Sequence, residues 1–424
     1  MKVLWICNRC PAIFAEDAGI RRSNMEGWVS GALDTLLKHC KEDGIQLAVA
    51  FPMPYEETLH GKVKGVEYFG FVEDTSHPEK YDPALAAALG VICEEFHPDV
   101  IHVFGTEYPH TLAMMRVLEW KKRTVVHMQG VVQSCADEYF AGLPQDVLER
   151  ATLRDVVRKD SLERQKEKYE GRALNEQQAL EAADYACGRT DFDKAFFAAM
   201  HPDAVYYSLN ETLRPCFYEG SWDPDACDPY TVCLSQGNIP LKGAHIAIEA
   251  VSLLKDRYPD IKLKIAGDDI LKGEGPISAI SRSEYGEYLR SLVRGFDLQD
   301  KVQYMGQLKD TEMKDLYLSS YVFLMPSFIE NSPNSLGEAM LLGMPCVASR
   351  VGGIPSMASE EEIRYVTAGN AEELAKAISD IFDNREAALK TAAAGRKRAV
   401  LTYDREANYK MLKWVYESMI KDNS

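Results

Sequence analysis

Apolar and polar positions along this chain follow two alternating patterns. Short apolar runs, bounded by Gly, Pro, Asn and Asp, are followed by longer stretches in which apolar residues return at helical spacing. In the first half the runs predict strands at 3–7, 46–51, 66–71, 100–104, 124–128, 185–188 and 205–208. In the second half they predict strands at 231–235, 261–266, 302–305, 321–325, 346–349 and 363–366. After the first strand of that second series, Ala247, Ala250, Val251 and Leu254 recur at i, i+3, i+4 and i+7, the spacing of one buried helix face. Strand and helix in alternation define an α/β chain with parallel sheets, and six strands suffice for a complete doubly wound sheet.

Residues 210–230, NETLRPCFYEGSWDPDACDPY, show no periodicity and concentrate Pro and Asp, so they read as a linker. The expected organisation is a Rossmann-like domain at 1–209, the linker at 210–230 and a second Rossmann-like domain at 231–402. The last segment, 403–424, carries a helical stripe of Tyr409, Leu412, Val415, Tyr416 and Met419 and is expected to pack back on the first domain. Two such domains facing across a cleft would place ligands at the carboxyl ends of their strands.

Composition narrows the functions. At 424 residues the chain exceeds one ordinary core, and 46% hydrophobic with 27% charged residues is a globular mix. Its 48 Lys and Arg against 65 Asp and Glu give a net charge of -17, which disfavours nucleic acid as a partner. No apolar run approaches the ~18 residues of a membrane span, and MKVLWICNRCP has no signal-peptide core, so a cytoplasmic protein is expected. The 10 cysteines are scattered through apolar runs; Cys7 and Cys10 form a lone CxxC, and none of the 9 His sits at ligand spacing, so no metal is expected. One positive island stands out: residues 150–172 hold eight Lys or Arg against five Asp or Glu. It reads either as a helix face laced with i,i+4 pairs or as a docking surface for an anionic membrane.

Candidate chemistry lies mainly in MPSFIENSPNSLGEAMLLGMPCVASRVGGIP, residues 325–355. A strand, a Ser/Asn/Pro loop, a helix starting near Ser335 and a Val-Gly-Gly turn follow one another. The amide groups of Ser335, Leu336 and Gly337 would be free to hold a phosphate. Glu330 and Glu338 flank that point and suit neutral sugar or ribose hydroxyls. Ser335-Leu336-Gly337-Glu338 also fits a helix capping box, in which Glu338 would serve only the backbone. The second segment, LSQGNIPLKGAHIAIEA at 234–250, brings Lys242 and Gly243 to the start of a helix as a phosphate grip, though a surface lysine reads the same way.

Together these segments resemble the retaining glycosyltransferases of the GT-B fold, family four, whose E-x7-E signature Glu330 and Glu338 match. The resemblance implies that Glu338 holds the ribose of a nucleotide sugar and that Glu330 lies at the donor sugar. Asn334, Ser335 and Leu336 would reach the distal phosphate. GNIPLKG approximates the family's phosphate loop, with Gly237 opening it and Lys242 as its lysine; Asn238 stands where the family usually has Arg. In the first half, Gly27 of Glu26-Gly27-Trp28 retains one glycine of a family pair that opens the first long helix. Gln129 occupies the place of a family histidine near the reaction centre, with His127 two residues earlier on the same strand face. FGTEYPHT and CGRTDFD look like a subgroup from bacterial surface-polysaccharide clusters and would set Glu107, His110 and Arg189 facing the cleft.

The implied activity is transfer of a sugar, with retention, from a UDP- or GDP-sugar to a glycan or lipid-linked hydroxyl acceptor. No cofactor or metal is implied, and the Asp223-Pro224-Asp225 triplet reads as linker composition. A lipid-linked acceptor would bring peripheral association with the inner membrane surface. A nucleotide-sugar isomerase of the same fold and a non-catalytic sugar-binding protein are the rival readings.

Overall fold

A computed structural model describes residues 1–20, 27–53, 59–271 and 282–422. The chain forms two compact units: 1–133 with 168–214 and 403–424, and 134–167 with 215–402.

The first unit is built on an eight-stranded sheet. Its strands are β1 (Lys2–Ile6), β2 (Gln46–Met53), β3 (Leu59–Val63), β4 (Val66–Val72), β5 (Val100–Phe104), β6 (Thr124–His127), β7 (Tyr185–Gly188) and β8 (Val205–Ser208). They lie in the order β3-β4-β2-β1-β5-β6-β7-β8, all parallel except β3 against β4. The central strands are buried on both faces, which is why they read as continuous apolar runs. β3 is absent from the expected strands because LHGKV is half exposed and holds only two apolar residues. It forms through a two-residue hairpin, Lys64-Gly65, in which both φ angles are positive (49° and 86°).

Helices cover both faces. Gly27–His39 and Arg405–Asp422 bury Leu33, Leu36, Val415, Tyr416 and Met419 on one side. Ala84–Phe96, Pro109–Met115 and Asp191–Met200 bury Leu89, Ile92, Met114 and Phe197 on the other. The terminal helix thus belongs to the first unit, with Tyr409, Leu412, Val415, Tyr416 and Met419 in its core. Each such side chain contributes roughly 1.5–3 kcal/mol relative to exposure.

The second unit holds six parallel strands: β9 (Thr231–Leu234), β10 (Lys262–Ile265), β11 (Val302–Tyr304), β12 (Val322–Met325), β13 (Cys346–Ser349) and β14 (Arg364–Val366). Their order, β11-β10-β9-β12-β13-β14, reverses between β9 and β12. Such a reversal is the switch point of a doubly wound sheet, where ligands bind at the strands' carboxyl ends. Helix Ala244–Leu254, which follows β9, buries Ala247, Ala250, Val251 and Leu254.

Two sequence readings need correction. Residues 134–167, read as part of the first domain, group with the second unit. Side chains hold them there: Asp155 Oδ2 accepts from the Glu284 amide at 2.8 Å, and Thr152 Oγ1 donates to the Arg282 carbonyl at 2.8 Å. Contacts so distant in sequence leave no trace in periodicity. Residues 210–230 do carry the junction between the units, at 214–215, but both sides of it are packed. Glu211, Thr212 and Leu213 are buried in the first unit, while Phe217, Trp222 and Cys227 are buried in the second. The Trp222 indole donates to the Ser320 carbonyl at 2.8 Å. Pro and Asp prevent regular structure here, but the apolar residues between them still pack. Among the described residues no helix is long and apolar enough to cross a membrane.

Candidate functional site

In the second unit the loops after β9 and β12 meet at the reversal of strand order. The β9 loop ends in a 3-10 turn, Pro240–Lys242, and Gly243 follows in left-handed conformation (φ 68°) before the helix begins. A Cβ on Gly243 would sit 2.0 Å from the Pro326 carbonyl oxygen, so only glycine lets the two loops touch. That close approach sets Lys242 Nζ 2.6 Å from Glu330 Oε1. Ser327 Oγ donates to the same oxygen at 2.8 Å. The Glu330 backbone rests in the Val-Gly-Gly turn: Gly353 N–H donates to its carbonyl at 3.0 Å, and a Cβ on Gly352 would lie 2.0 Å from that oxygen. Backbone packing therefore fixes Glu330, and Glu330 orients Lys242.

The helix after this loop is Asn334–Leu342, capped by Pro333 without a side-chain hydrogen bond. The capping box at Ser335 is therefore not formed. Glu338 lies one turn further in and is buried, 2% exposed. The amide prediction changes as well. Leu336 and Gly337 N–H both donate to the Pro333 carbonyl, at 3.1 and 3.4 Å. Ser335, at the second helical position, is the predicted donor that makes no backbone bond, which suits an anion at the helix start. Gly237 opens the β9 loop with Tyr304 Oη donating to its carbonyl at 3.1 Å. A Cβ there would meet Ile265 at 2.6 Å. Asn238 follows it, its Oδ1 buried with no hydrogen-bond partner.

In the first unit the informative residues follow four neighbouring strands. Glu107 comes after β5, Gln129 after β6, Arg189 after β7 and Glu211 after β8. Two of them, Gln129 and Arg189, converge with His127 on the Glu211 carboxylate. Gln129 Nε2 donates to Glu211 Oε1 at 2.6 Å, Arg189 pairs with Oε2 at 3.2 Å, and His127 Nε2 faces Oε1 at 3.5 Å. Burial pushes the His127 imidazole down to about 4, reinforced by the Arg189 charge and opposed by Glu211. His127 is therefore neutral near pH 7 and a poor base. Beside this cluster lies a partly open cavity of about 30 Å³, lined by His127, Phe104, Glu211 and the terminal helix, with room for a water molecule.

Glu211 itself escaped the sequence reading because it fell inside the supposed linker. Its place directly after a strand's carboxyl end was the available signal. Glu107 packs its carboxylate against Gly105, where a Cβ would come within 2.2 Å of Oε2, and that oxygen is buried with no hydrogen-bond partner. His110 departs from expectation: it is fully buried in helix Pro109–Met115, and its Nδ1 bonds Glu73 Oε2 at 2.9 Å. It braces that helix against the residue that follows β4. Gly27 begins helix Gly27–His39, while Glu26 before it lies outside the described residues. Among the described residues, His102, His127 and Cys187 bring three metal-ligating atoms within 4.8 Å of one another, all buried. Asp223 Oδ1 accepts from the Asp225 amide at 2.9 Å, and Asp225 pairs with Arg385, so this triplet is a turn of the second unit.

This geometry has counterparts in known chains. Residues 227–398 match the family described as "Glycosyl transferases group 1". That stretch contains Lys242, Glu330 and Glu338. Among curated relatives, the MMP alpha-(1->4)-mannosyltransferase of Mycolicibacterium hassiacum is 27% identical, over 45% of this chain and 43% of its own. The D-inositol 3-phosphate glycosyltransferase of Pseudarthrobacter chlorophenolicus is 31% identical over 34% and 32%. The chain spans less than half the length of these relatives. Of solved structures, sucrose-phosphate synthase from Thermosynechococcus elongatus superposes with a TM-score of 0.71 at 16% identity, covering 100% of both chains. Anabaena Alr3699/HepE in complex with UDP-glucose gives 0.66 at 16% identity, over 99% of this chain and 100% of that one. Likeness over the whole chain establishes the fold as GT-B, with two doubly wound α/β units.

Proposed function

We propose that this protein is a retaining glycosyltransferase of the family-four type, moving a hexose from a nucleotide diphosphate sugar to a hydroxyl acceptor. The observation that carries this reading is the Lys242–Glu330 pair at the switch point of the second sheet, beside a helix N-terminus that contains a buried Glu338. In the proposed reaction the bond between the anomeric carbon and the diphosphate oxygen breaks, and the acceptor oxygen bonds that carbon on the same face. The acceptor proton passes to a phosphate oxygen of the leaving group. Lys242 and the Ser335 amide stabilise the charge that develops on the diphosphate. Asn334 and the Leu336 backbone line the phosphate position, and Asn238 contributes a polar amide without the charge of an arginine. Glu330 accepts from a hydroxyl of the donor sugar, and Glu338 from the ribose.

The Glu211 cluster, with His127, Gln129 and Arg189, would position the acceptor, and Glu107 would lie near it. A neighbour solved with UDP-glucose favours a UDP-sugar donor. A relative described as a putative colanic acid biosynthesis glycosyltransferase, WcaL of Escherichia coli, supports a glycan or lipid-linked acceptor in surface-polysaccharide synthesis. Such an acceptor would draw the protein to an anionic membrane surface.

A thermal-shift panel of UDP, GDP, ADP, CMP and dTDP tests the donor site. A nucleotide at a hundred times its dissociation constant should add roughly 2.7 kcal/mol to stability. One nucleotide should stabilise the native protein and lose its effect with Glu338→Ala. If none stabilises a folded protein, the donor site is wrong. If the sugar nucleotide is converted without an acceptor, the protein is an isomerase instead.

A further inference from the structure

Beneath the Glu211 cluster, a chain of buried hydrogen bonds runs across the first unit. The Trp5 indole of β1 donates to Tyr416 Oη of the terminal helix at 2.9 Å. Tyr416 Oη lies 2.7 Å from His102 Nδ1 of β5. His102 Nε2 lies 3.2 Å from His127 Nδ1 of β6, and His127 Nε2 faces Glu211.

The two ends of this chain have only one polarity each. An indole N–H can only donate, and an ionised carboxylate can only accept. Tyr416 Oη accepts from Trp5, so its own proton must go to the remaining neighbour, His102 Nδ1. With Nδ1 accepting, neutral His102 carries its proton on Nε2, which faces His127 Nδ1 at 3.2 Å and the weaker acceptor Cys187 Sγ at 3.7 Å, and donates to the imidazole nitrogen. His127 then holds its proton on Nε2, pointing at the carboxylate. Every link points from Trp5 toward Glu211; reversing the chain would leave the buried Tyr416 hydroxyl proton without an acceptor and set a bare His127 nitrogen against the carboxylate. Burial pushes both imidazoles down, so a second proton on either ring is disfavoured.

We infer that Tyr416 and His102 are positioning residues: they hold His127 as the Nε2–H tautomer and thereby aim its proton at Glu211. This rests on the reading of the Glu211 cluster as the acceptor side of the site. The terminal helix, 411 residues from Trp5 in sequence, would then set the protonation pattern of that cluster.

The test is nitrogen NMR on protein labelled with 15N at histidine, with His102→Gln and His127→Gln used for assignment. His201 is an internal reference of the opposite tautomer, because its Nδ1 lies 2.8 Å from the Ala183 carbonyl, which can only accept. In the native protein His102 and His127 should both show protonated Nε2 and bare Nδ1 near neutral pH. Tyr416→Phe removes the proton that His102 Nδ1 accepts. Both rings should then move to a tautomer mixture while His201 stays unchanged, and kcat for transfer should fall about fivefold with the donor KM unaltered.

A protonated Nδ1 on either ring in the native protein, or an imidazolium, overturns the proposal without any variant having to fold. So does a chelator-sensitive spectrum, which would mark His102, His127 and Cys187 as metal ligands. Altered tautomers with unchanged kcat overturn the positioning role. Because the spectra need no substrate, a protein that shows the tautomers but transfers no sugar would fault the proposed function alone.

Discussion

Lys242 shows how much one side chain depends on backbone geometry. Its ammonium is placed because Gly243 allows contact with Pro326 and because Glu330 holds it, and the proposed diphosphate contact depends on both. The residues were legible in the sequence; the ion pair between them was not, since 88 positions separate its partners. We expect Lys242→Gln to lower transfer kcat roughly a hundredfold or more, the scale of losing a preorganised donor to a developing charge. Nucleotide stabilisation should weaken in parallel, and steady-state kinetics with thermal shifts check both. Normal turnover in this variant would remove Lys242 from the site. Glu211 is the converse case. Its identity as an acidic residue in an irregular segment carried no hint of function, and only the alignment of β6, β7 and β8 brings Gln129, His127 and Arg189 to it.

At the scale of elements, Glu176 of helix Leu162–Ala182 ties three segments together. It is fully buried, Thr106 donates to one of its oxygens, and the Val132 and Gln133 amides donate to the other at 2.8 and 3.2 Å. It thereby anchors the N-terminus of helix Val132–Asp137 to the loop after β5. Burial raises its pKa to about 8, from an ordinary 4.5, against the pull of these donors. A carboxyl group with a raised folded pKa binds its proton more tightly in the native state. Its contribution is complete below pH 4.5 and is lost as pH rises through about 8. Between those values the native protein should therefore lose stability relative to Glu176→Gln, by on the order of a few kcal/mol at pH 9. Denaturation midpoints of both proteins from pH 5 to 9 measure this, and parallel curves would refute it.

At the scale of the whole molecule, the positive island separates into two parts. Arg150, Arg154 and Arg164 are paired with Asp146, Asp155 and Glu167 at 2.7, 2.8 and 2.6 Å. Only the first of these has the i,i+4 spacing; Arg164 and Glu167 are three apart, and Arg154 pairs with its neighbour in sequence. Helix Leu153–Arg158, however, turns Leu153, Val156 and Val157 to solvent, 67%, 64% and 78% exposed, with Arg158 and Lys159 exposed beside them. The three apolar residues share one helix face at i, i+3 and i+4. Apolar side chains rimmed by cations suit an anionic bilayer surface. We expect the protein to sediment with vesicles rich in phosphatidylglycerol and not with pure phosphatidylcholine. Binding should weaken with salt, and Val157→Asp should reduce it strongly while leaving nucleotide stabilisation intact. Equal sedimentation of that variant would show that this helix is not the docking surface.

Local pattern alone determined the α/β class, nearly every strand, the helix after β9 and the segment around Glu330 and Glu338. Burial on both faces of a parallel sheet imposes apolar runs, and a glycine-rich loop before a helix announces itself in a few residues. Tertiary structure decided what depends on residues far apart. It moved 134–167 to the second unit, packed the irregular segment around Trp222 and buried His110 against Glu73. It also gathered His127, Gln129 and Arg189 around a glutamate that the sequence presented as linker. The reason is physical. Periodicity records which face of an element is buried, whereas a polar cluster is defined by hydrogen-bond partners from separate strands, which meet only after the sheet has set their register.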